Sequence, residues 1–137
     1  MRQHFPTEFV YQLFSLLIAF MMIYAPRMPV IKGVIQAEGR YDLGNPRPQQ
    51  ARLTGRAARA QAAHLNSLEA FAPFAAAVWV AHYGGTDPAL RDTLAMIFVG
   101  ARGLYILAYL NDQNPWRTIV WTLGMFCVIG LFISPLL

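Results

Sequence analysis

Charged residues are scarce in this chain of 137 amino acids, at 13%, whereas hydrophobic residues make up 56%. A soluble domain usually carries about 25% charged residues, so roughly half of the expected water-facing side chains are missing. The single cysteine excludes a disulfide framework within the chain. The three histidines are scattered and form no close-spaced metal-ligand cluster with that cysteine. The composition therefore excludes a zinc module and argues against an ordinary soluble domain.

Four long apolar stretches stand out along the sequence. With its flanks, each reaches the roughly 20 residues that a helix needs to cross a bilayer. We therefore expect a single domain over residues 1–137, an all-α antiparallel bundle of four transmembrane helices. A cleaved signal peptide is the alternative for the first stretch, but three more spans follow and no convincing cleavage site is present. The expected spans cover about residues 8–28, 58–83, 90–110 and 116–136, with a loop over about 29–57.

Residues that end or begin helices separate these spans. Gly84-Gly85 follows the second span, Asp87-Pro88 precedes the third, and Asn114-Pro115 precedes the fourth. The end of the first span stays open, because Pro26 and Pro29 either kink the helix or end it.

The basic residues indicate how the bundle is oriented. Seven of them lie between Pro26 and Ala60 against two acidic residues, whereas the link after the second span carries one arginine and two aspartates. By the positive-inside rule, the long first loop is cytoplasmic and both termini face the opposite side. The same residues account for the sequence pI near 9.6. No aromatic interleaving or binding motif accompanies them, so we expect lipid and not nucleic acid as a partner.

Two charged side chains fall inside the expected second and third spans, where an unpaired charge is costly. Glu69 stands ten residues after Arg59, about 15 Å along a helix. Arg102 stands nine residues before Asn111, about 14 Å from the same face of the membrane. Because the two charges reach the same depth, we expect Glu69 and Arg102 to form an ion pair in the bundle interior.

Further polar side chains share helix faces with this pair. Tyr105 and Tyr109 follow Arg102 at i+3 and i+7, while Asn66 and Glu69 stand at i and i+3 on the second span. Together they predict a cleft that suits a small anionic, peptide-like ligand entering from the cytosol. The residues of this expected cleft are Arg59, Asn66, Glu69, Arg102, Tyr105, Tyr109 and Arg117.

A structural interpretation of the same residues stands beside the functional one. Glu69 and Arg102 then only clamp two helices together, and the two tyrosines are core or interfacial aromatics. Arg117 alone would pass as an interfacial anchor. Cys127, in an apolar span without a basic neighbour in sequence, indicates inert packing.

Three motifs carry a resemblance to a known family. The first is AQAAHLNSLE over residues 60–69 with APF at 72–74, the second is ARGLY at 101–105 with AYL at 108–110, and the third is PWR at 115–117. Over nearly the whole chain, this pattern resembles the superfamily of membrane-associated proteins in eicosanoid and glutathione metabolism, MAPEG, in a short bacterial-type form.

The resemblance implies a homotrimer of four-helix bundles, here in a bacterial inner membrane. It implies glutathione as a co-substrate, held between neighbouring subunits near the cytoplasmic side. By the same resemblance, Arg117 stabilises the glutathione thiolate. Asn66, Glu69 and Tyr109 contact glutathione or organise its site, and Arg102 matches the buried arginine of the third helix.

Two classes of function follow from this sequence. The first is a glutathione-dependent transferase or peroxidase acting on a hydrophobic electrophile or lipid hydroperoxide, with isomerase activity as a variant. There Tyr109 donates a hydrogen bond to the sulfur, and Asn66 and Arg59 hold the peptide and carboxylates of glutathione. The second is a non-catalytic scaffold or an accessory subunit of a larger membrane complex, whose polar faces only specify helix pairing. Leu65 stands where some eukaryotic MAPEG members have an arginine, which favours the second class.

Overall fold

The structure, a computed structural model, describes residues 7–137. Over this range the chain forms six α-helices and a short 3-10 turn and contains no strand, which confirms the all-α class. The helices are α1 (Thr7–Tyr24), α2 (Arg27–Glu38), α3 (Pro46–Ala51), α4 (Gly55–Tyr83), α5 (Pro88–Leu110) and α6 (Asn114–Ile133), with the 3-10 turn at Ser134–Leu136.

Three segments among the described residues are long and apolar enough to cross a membrane: Phe9–Glu38, Pro88–Leu110 and Asn114–Leu136. In the most apolar window of each, at most 44% of the residues are buried within the chain. Most of these apolar side chains therefore face outward, as expected where lipid is the solvent. The architecture is that of a multi-pass membrane protein.

The second expected span, about residues 58–83, corresponds to α4, which is not among these three segments. Its 29 residues give it ample length. Its first half is too polar, however, because it carries Arg56, Arg59, His64, Asn66 and Glu69. A fourth membrane crossing therefore stays a prediction.

The segment expected as a loop over 29–57 is helical through Glu38. The first helix ends at Tyr24, and Pro29 lies in the first turn of α2, where the missing N–H of a proline is tolerated. The segment stays helical because Val30 and Val34 are completely buried. Glu38 then anchors the end of α2 to the following segment.

The core lies between α1, α4, α5 and α6. The rings of Phe74 on α4 and Phe98 on α5 stack with their centroids 3.9 Å apart. Small residues on α4, such as Ala77 and Ala81, are completely buried and let the neighbouring helices approach closely. The antiparallel course of α4 and α5 brings the middle of both helices to the same level, where the polar site lies.

Candidate functional site

Arg102 on α5 is buried between helices and has protein partners for its charge. Its Nη1 donates to Oδ1 of Asn66 at 3.1 Å, and its Nη2 donates to the hydroxyl of Ser67 at 3.2 Å. The guanidinium carbon lies 4.3 Å from the ring centroid of Tyr105. Hydrogen bonds and the face of an aromatic ring offset the cost of burying a charge. Arg102 is therefore a fixed element between α4 and α5.

The expected ion pair between Glu69 and Arg102 is wrong, since no salt bridge joins them within the described residues. The amide of Asn66 lies between the two instead. It accepts from Arg102 and, through Nδ2, donates to Oε2 of Glu69 at 3.4 Å. The glutamate side chain is exposed on the outer face of α4. Asn66 thus occupies the position nearest the guanidinium, and the carboxylate stays available to a ligand or a partner.

A ladder of rings continues from Arg102 to the end of α5. The ring of Tyr105 meets that of Tyr109 edge to face, with centroids 5.5 Å apart. The guanidinium carbon of Arg117 then lies 4.4 Å from the centroid of the Tyr109 ring. The positive φ of 58° at Asp112 belongs to the tight turn that brings the start of α6 back over α5. The ladder therefore consists of four side chains in contact order, a cation at each end and two rings between them: Arg102, Tyr105, Tyr109 and Arg117.

Arg117 differs from Arg102 in the use of its charge. Its guanidinium stacks on Tyr109 but makes no hydrogen bond or ion pair with any residue from 7 to 137. It is half-buried and lines a cleft of about 240 Å³ together with Tyr105, Tyr109, Thr118 and Trp121. Complete small-molecule pockets measure roughly 300–1,000 Å³. The cleft within one chain is thus smaller than a complete pocket, and it holds an unpaired guanidinium beside two tyrosines.

The structure places Arg59 apart from the ladder. Its Nη1 lies 3.6 Å from Oδ2 of Asp112, in the turn between α5 and α6. Its Nε is buried and has no hydrogen-bond partner in the described chain. The other six expected site residues are joined by successive contacts from Glu69 to Arg117. Arg59 has none of these contacts.

Sequence reasoning assigned no role to Ser67, Asp112 or Trp121. The hydroxyl of Ser67 donates to the carbonyl of Ala63 at 2.8 Å while it accepts from Arg102. Its position seven residues after Ala60, on the buried small-residue face of α4, is the signal that could have revealed it. Trp121 follows Arg117 at i+4 on α6, a spacing that predicts a shared cleft wall.

Two other polar residues have structural roles. Nδ1 of His64 lies 2.7 Å from the carbonyl oxygen of Ile23, which links α4 to α1. Cys127 is buried in the apolar core. Within residues 7–137, no group of three or more histidine, cysteine, aspartate or glutamate side chains could hold a metal ion.

Comparison with known families reveals a match to the MAPEG family. The model of the MAPEG family covers residues 9–137, a range that includes α4, α5, α6 and every residue of the polar site. No curated protein shows significant similarity to the chain. The family match extends over nearly the full length and includes all three motifs of the sequence. The chain therefore belongs to the MAPEG family.

Proposed function

We propose that this protein is a glutathione-dependent membrane transferase or peroxidase that acts on hydrophobic electrophiles or lipid hydroperoxides. The MAPEG family includes such enzymes and also non-catalytic members. The observation that carries the proposal is the unpaired guanidinium of Arg117, held on the ring of Tyr109 in an open cleft. A cation without a protein partner suits an anionic ligand.

Glutathione supplies the sulfur nucleophile of this chemistry. A thiol with a pKa near 8.5 is mostly protonated at neutral pH, and the thiolate is the reactive form. In our proposal Arg117 lowers that pKa by about one unit or more, each unit being about 1.4 kcal/mol. The hydroxyl of Tyr109 donates a hydrogen bond to the same sulfur. A hydrophobic second substrate reaches the cleft from the bilayer.

The rest of glutathione requires partners of both signs, since it has two carboxylates and one ammonium group. The exposed carboxylate of Glu69 suits the ammonium group, and the amide of Asn66 suits a peptide group. The partly exposed guanidinium of Arg59, whose Nη1 lies 3.6 Å from Oδ2 of Asp112, is the proposed donor to a carboxylate. Arg102 and Tyr105 hold this arrangement from the inside.

We also propose that the site lies between subunits of a homotrimer. Glu69 is exposed at the level of the buried Arg102, and a carboxylate that faces lipid is costly. A neighbouring copy would cover it and would complete the cleft beside Arg117. It would also shield the polar half of α4, which could then serve as the fourth span of a single domain over 1–137. The basic segment that contains α2 and α3 would face the cytoplasm of a bacterial cell.

A calorimetric titration of the detergent-solubilised protein with glutathione tests the proposal. We expect saturable heat, and we expect weaker binding of S-methylglutathione, because its sulfur cannot become a thiolate. Absence of heat at millimolar glutathione would contradict the proposal.

The second candidate is a non-catalytic membrane scaffold or an accessory subunit of a larger complex. It is favoured by Arg102, whose guanidinium is engaged by Asn66, Ser67 and Tyr105 without any ligand. A scaffold would bind neither form of glutathione in the same titration.

A further inference from the structure

A second concave surface lies away from the ladder, between α2 and the start of α4. This groove has a volume of about 470 Å³. Its apolar lining includes Met28, whose side chain is 71% exposed, together with Pro29 and Ala57. Lys32 on α2 and Arg56 on α4 also line it. The groove therefore combines an apolar strip with two cations from different helices.

Neither cation of the groove has a counter-ion. Lys32 and Arg56 make no hydrogen bond or ion pair with the described part of the chain, and no acidic residue lines the groove. Two other arginines of this region, Arg52 and Arg27, do have side-chain partners. Arg52 contacts Glu38 at 2.7 Å, and Arg27 donates to the hydroxyl of Tyr41 at 3.2 Å. Positive charge is thus left without a partner at this groove.

The level of the groove in the bundle follows from its neighbours. Arg59, one helical turn after Arg56, contacts Asp112. Asp112 lies two residues before Asn114, where the last apolar segment begins. Arg56 therefore lies about one turn, roughly 5 Å along α4, from the arginine that contacts the turn before this apolar segment. The exposed Met28 reaches the same groove, so apolar and cationic surface meet there.

We infer that this groove binds the headgroup of an anionic phospholipid. The phosphate lies between Lys32 and Arg56, and the upper part of the acyl chains packs on Met28 and Pro29. Basic pockets between helices at a membrane surface recognise anionic headgroups in this way. The charge of the groove is complementary to a phosphodiester, and its apolar strip is complementary to the chain attached to it. The site requires no glutathione and shares no residue with the cleft of Arg117.

Native mass spectrometry of the full chain in detergent, titrated with phosphatidylglycerol or phosphatidylcholine, tests the inference. We expect phosphatidylglycerol to remain bound preferentially. Replacing both groove cations by glutamine (K32Q with R56Q) should weaken that binding about 30-fold, since each cation near a membrane surface contributes about one kcal/mol. The charge-preserving exchange K32R with R56K should retain the binding. Both side chains are exposed, so these variants should fold as the parent does.

The matched control removes two cations from outside the groove (R40Q with R47Q), and it should leave phosphatidylglycerol binding unchanged. An equal loss of phosphatidylglycerol binding in the groove variant and in this control would mean that the lipid responds to positive charge in general, and it would overturn the inference. Equal binding of the two lipids would overturn it as well. Glycerol 3-phosphate should not compete at concentrations near that of the lipid. If it competes equally well, the ligand is a free phosphate compound and the lipid assignment is wrong.

Discussion

Two arginines near one another illustrate how a contact determines what a charged residue can do. Arg102 donates hydrogen bonds to Asn66 and Ser67, so its charge holds α4 and α5 together. Arg117 has the ring of Tyr109 as its partner, and its hydrogen-bond donors have no partner in the described chain. The residue type is the same, and burial together with contacts distinguishes a structural cation from a candidate catalytic one.

Replacing Arg117 by alanine should lower the rate of glutathione conjugation to a model electrophile about tenfold or more at neutral pH, because the thiol pKa is no longer lowered. The rate should recover as the pH rises, since the thiol of glutathione is then ionised even without the cation. A pH profile of kcat/KM measures the change in the thiol pKa. Arg40→Ala, in an exposed segment, is the control that should leave the profile unchanged. An unshifted profile for Arg117→Ala would refute the assigned role.

A double-mutant cycle distinguishes the direct partners of Arg102. Asn66→Ala and Arg102→Ala should show a coupling free energy of about 0.5–3 kcal/mol, because the two side chains share a hydrogen bond. Glu69→Ala should couple to Arg102→Ala less strongly, since Asn66 lies between the two residues. Unfolding in detergent gives these free energies. A larger coupling for Glu69 would restore the direct ion pair.

At this scale the sequence predicts faces better than contacts. The i, i+3 and i+7 spacing places Arg102, Tyr105 and Tyr109 on one side of α5. The guanidinium of Arg102 does contact the ring of Tyr105, which contacts the ring of Tyr109. Spacing cannot show which oxygen on α4 the guanidinium reaches, because that depends on side-chain rotamers and on helix rotation. The amide of Asn66 therefore could not be predicted as the group between the two charges.

At the scale of elements, local capping residues determine where helices end, and tertiary packing determines which helices contact each other. The side chain of Asp87 caps α5 by accepting from the N–H of Leu90 at 3.0 Å, as the Asp-Pro signal predicts. Residues 29–57 were expected as a loop, with the end of the first span left open because Pro26 and Pro29 either kink the helix or end it. The segment over Arg27–Glu38 is helical because Val30 and Val34 are buried where α2 packs on α4, a tertiary contact that local sequence does not encode.

The close packing of α2 on α4 depends on Gly33, where a Cβ would overlap the Cβ of Ala57. Gly33→Ala should therefore destabilise the protein by about 1–3 kcal/mol, the usual cost of overpacking. The companion change Ala57→Gly should offset part of the loss, which a double-mutant cycle measures as coupling. Gly100→Ala is the control, because a Cβ there meets open space within the chain. Equal effects at Gly33 and Gly100 would contradict the close approach.

At the scale of the whole molecule, composition and apolar run lengths suffice to predict an all-helical membrane protein, since lipid imposes both. The assembly could not be predicted from composition. It rests on family resemblance and on a partly open cleft with an exposed carboxylate at Glu69. In the proposed homotrimer, a neighbouring copy would cover Glu69 and complete the cleft.

Native mass spectrometry should accordingly give a mass about three times the 15.4 kDa of one chain. Glu69→Leu should weaken glutathione binding, because in the proposed assembly the carboxylate faces a site between copies. If Glu69 faces lipid instead, leucine should raise stability and leave glutathione binding unchanged, since a carboxylate in lipid is costly. A monomeric mass, or that second pattern, would contradict the proposed assembly.

The ultraviolet absorption of the thiolate tests the central claim most directly. Glutathione added to the protein at neutral pH should show the thiolate band, and the band should vanish when Arg117 is replaced by alanine. Saturating glutathione without a thiolate band, or an equal band in the Arg117→Ala protein, would contradict the account.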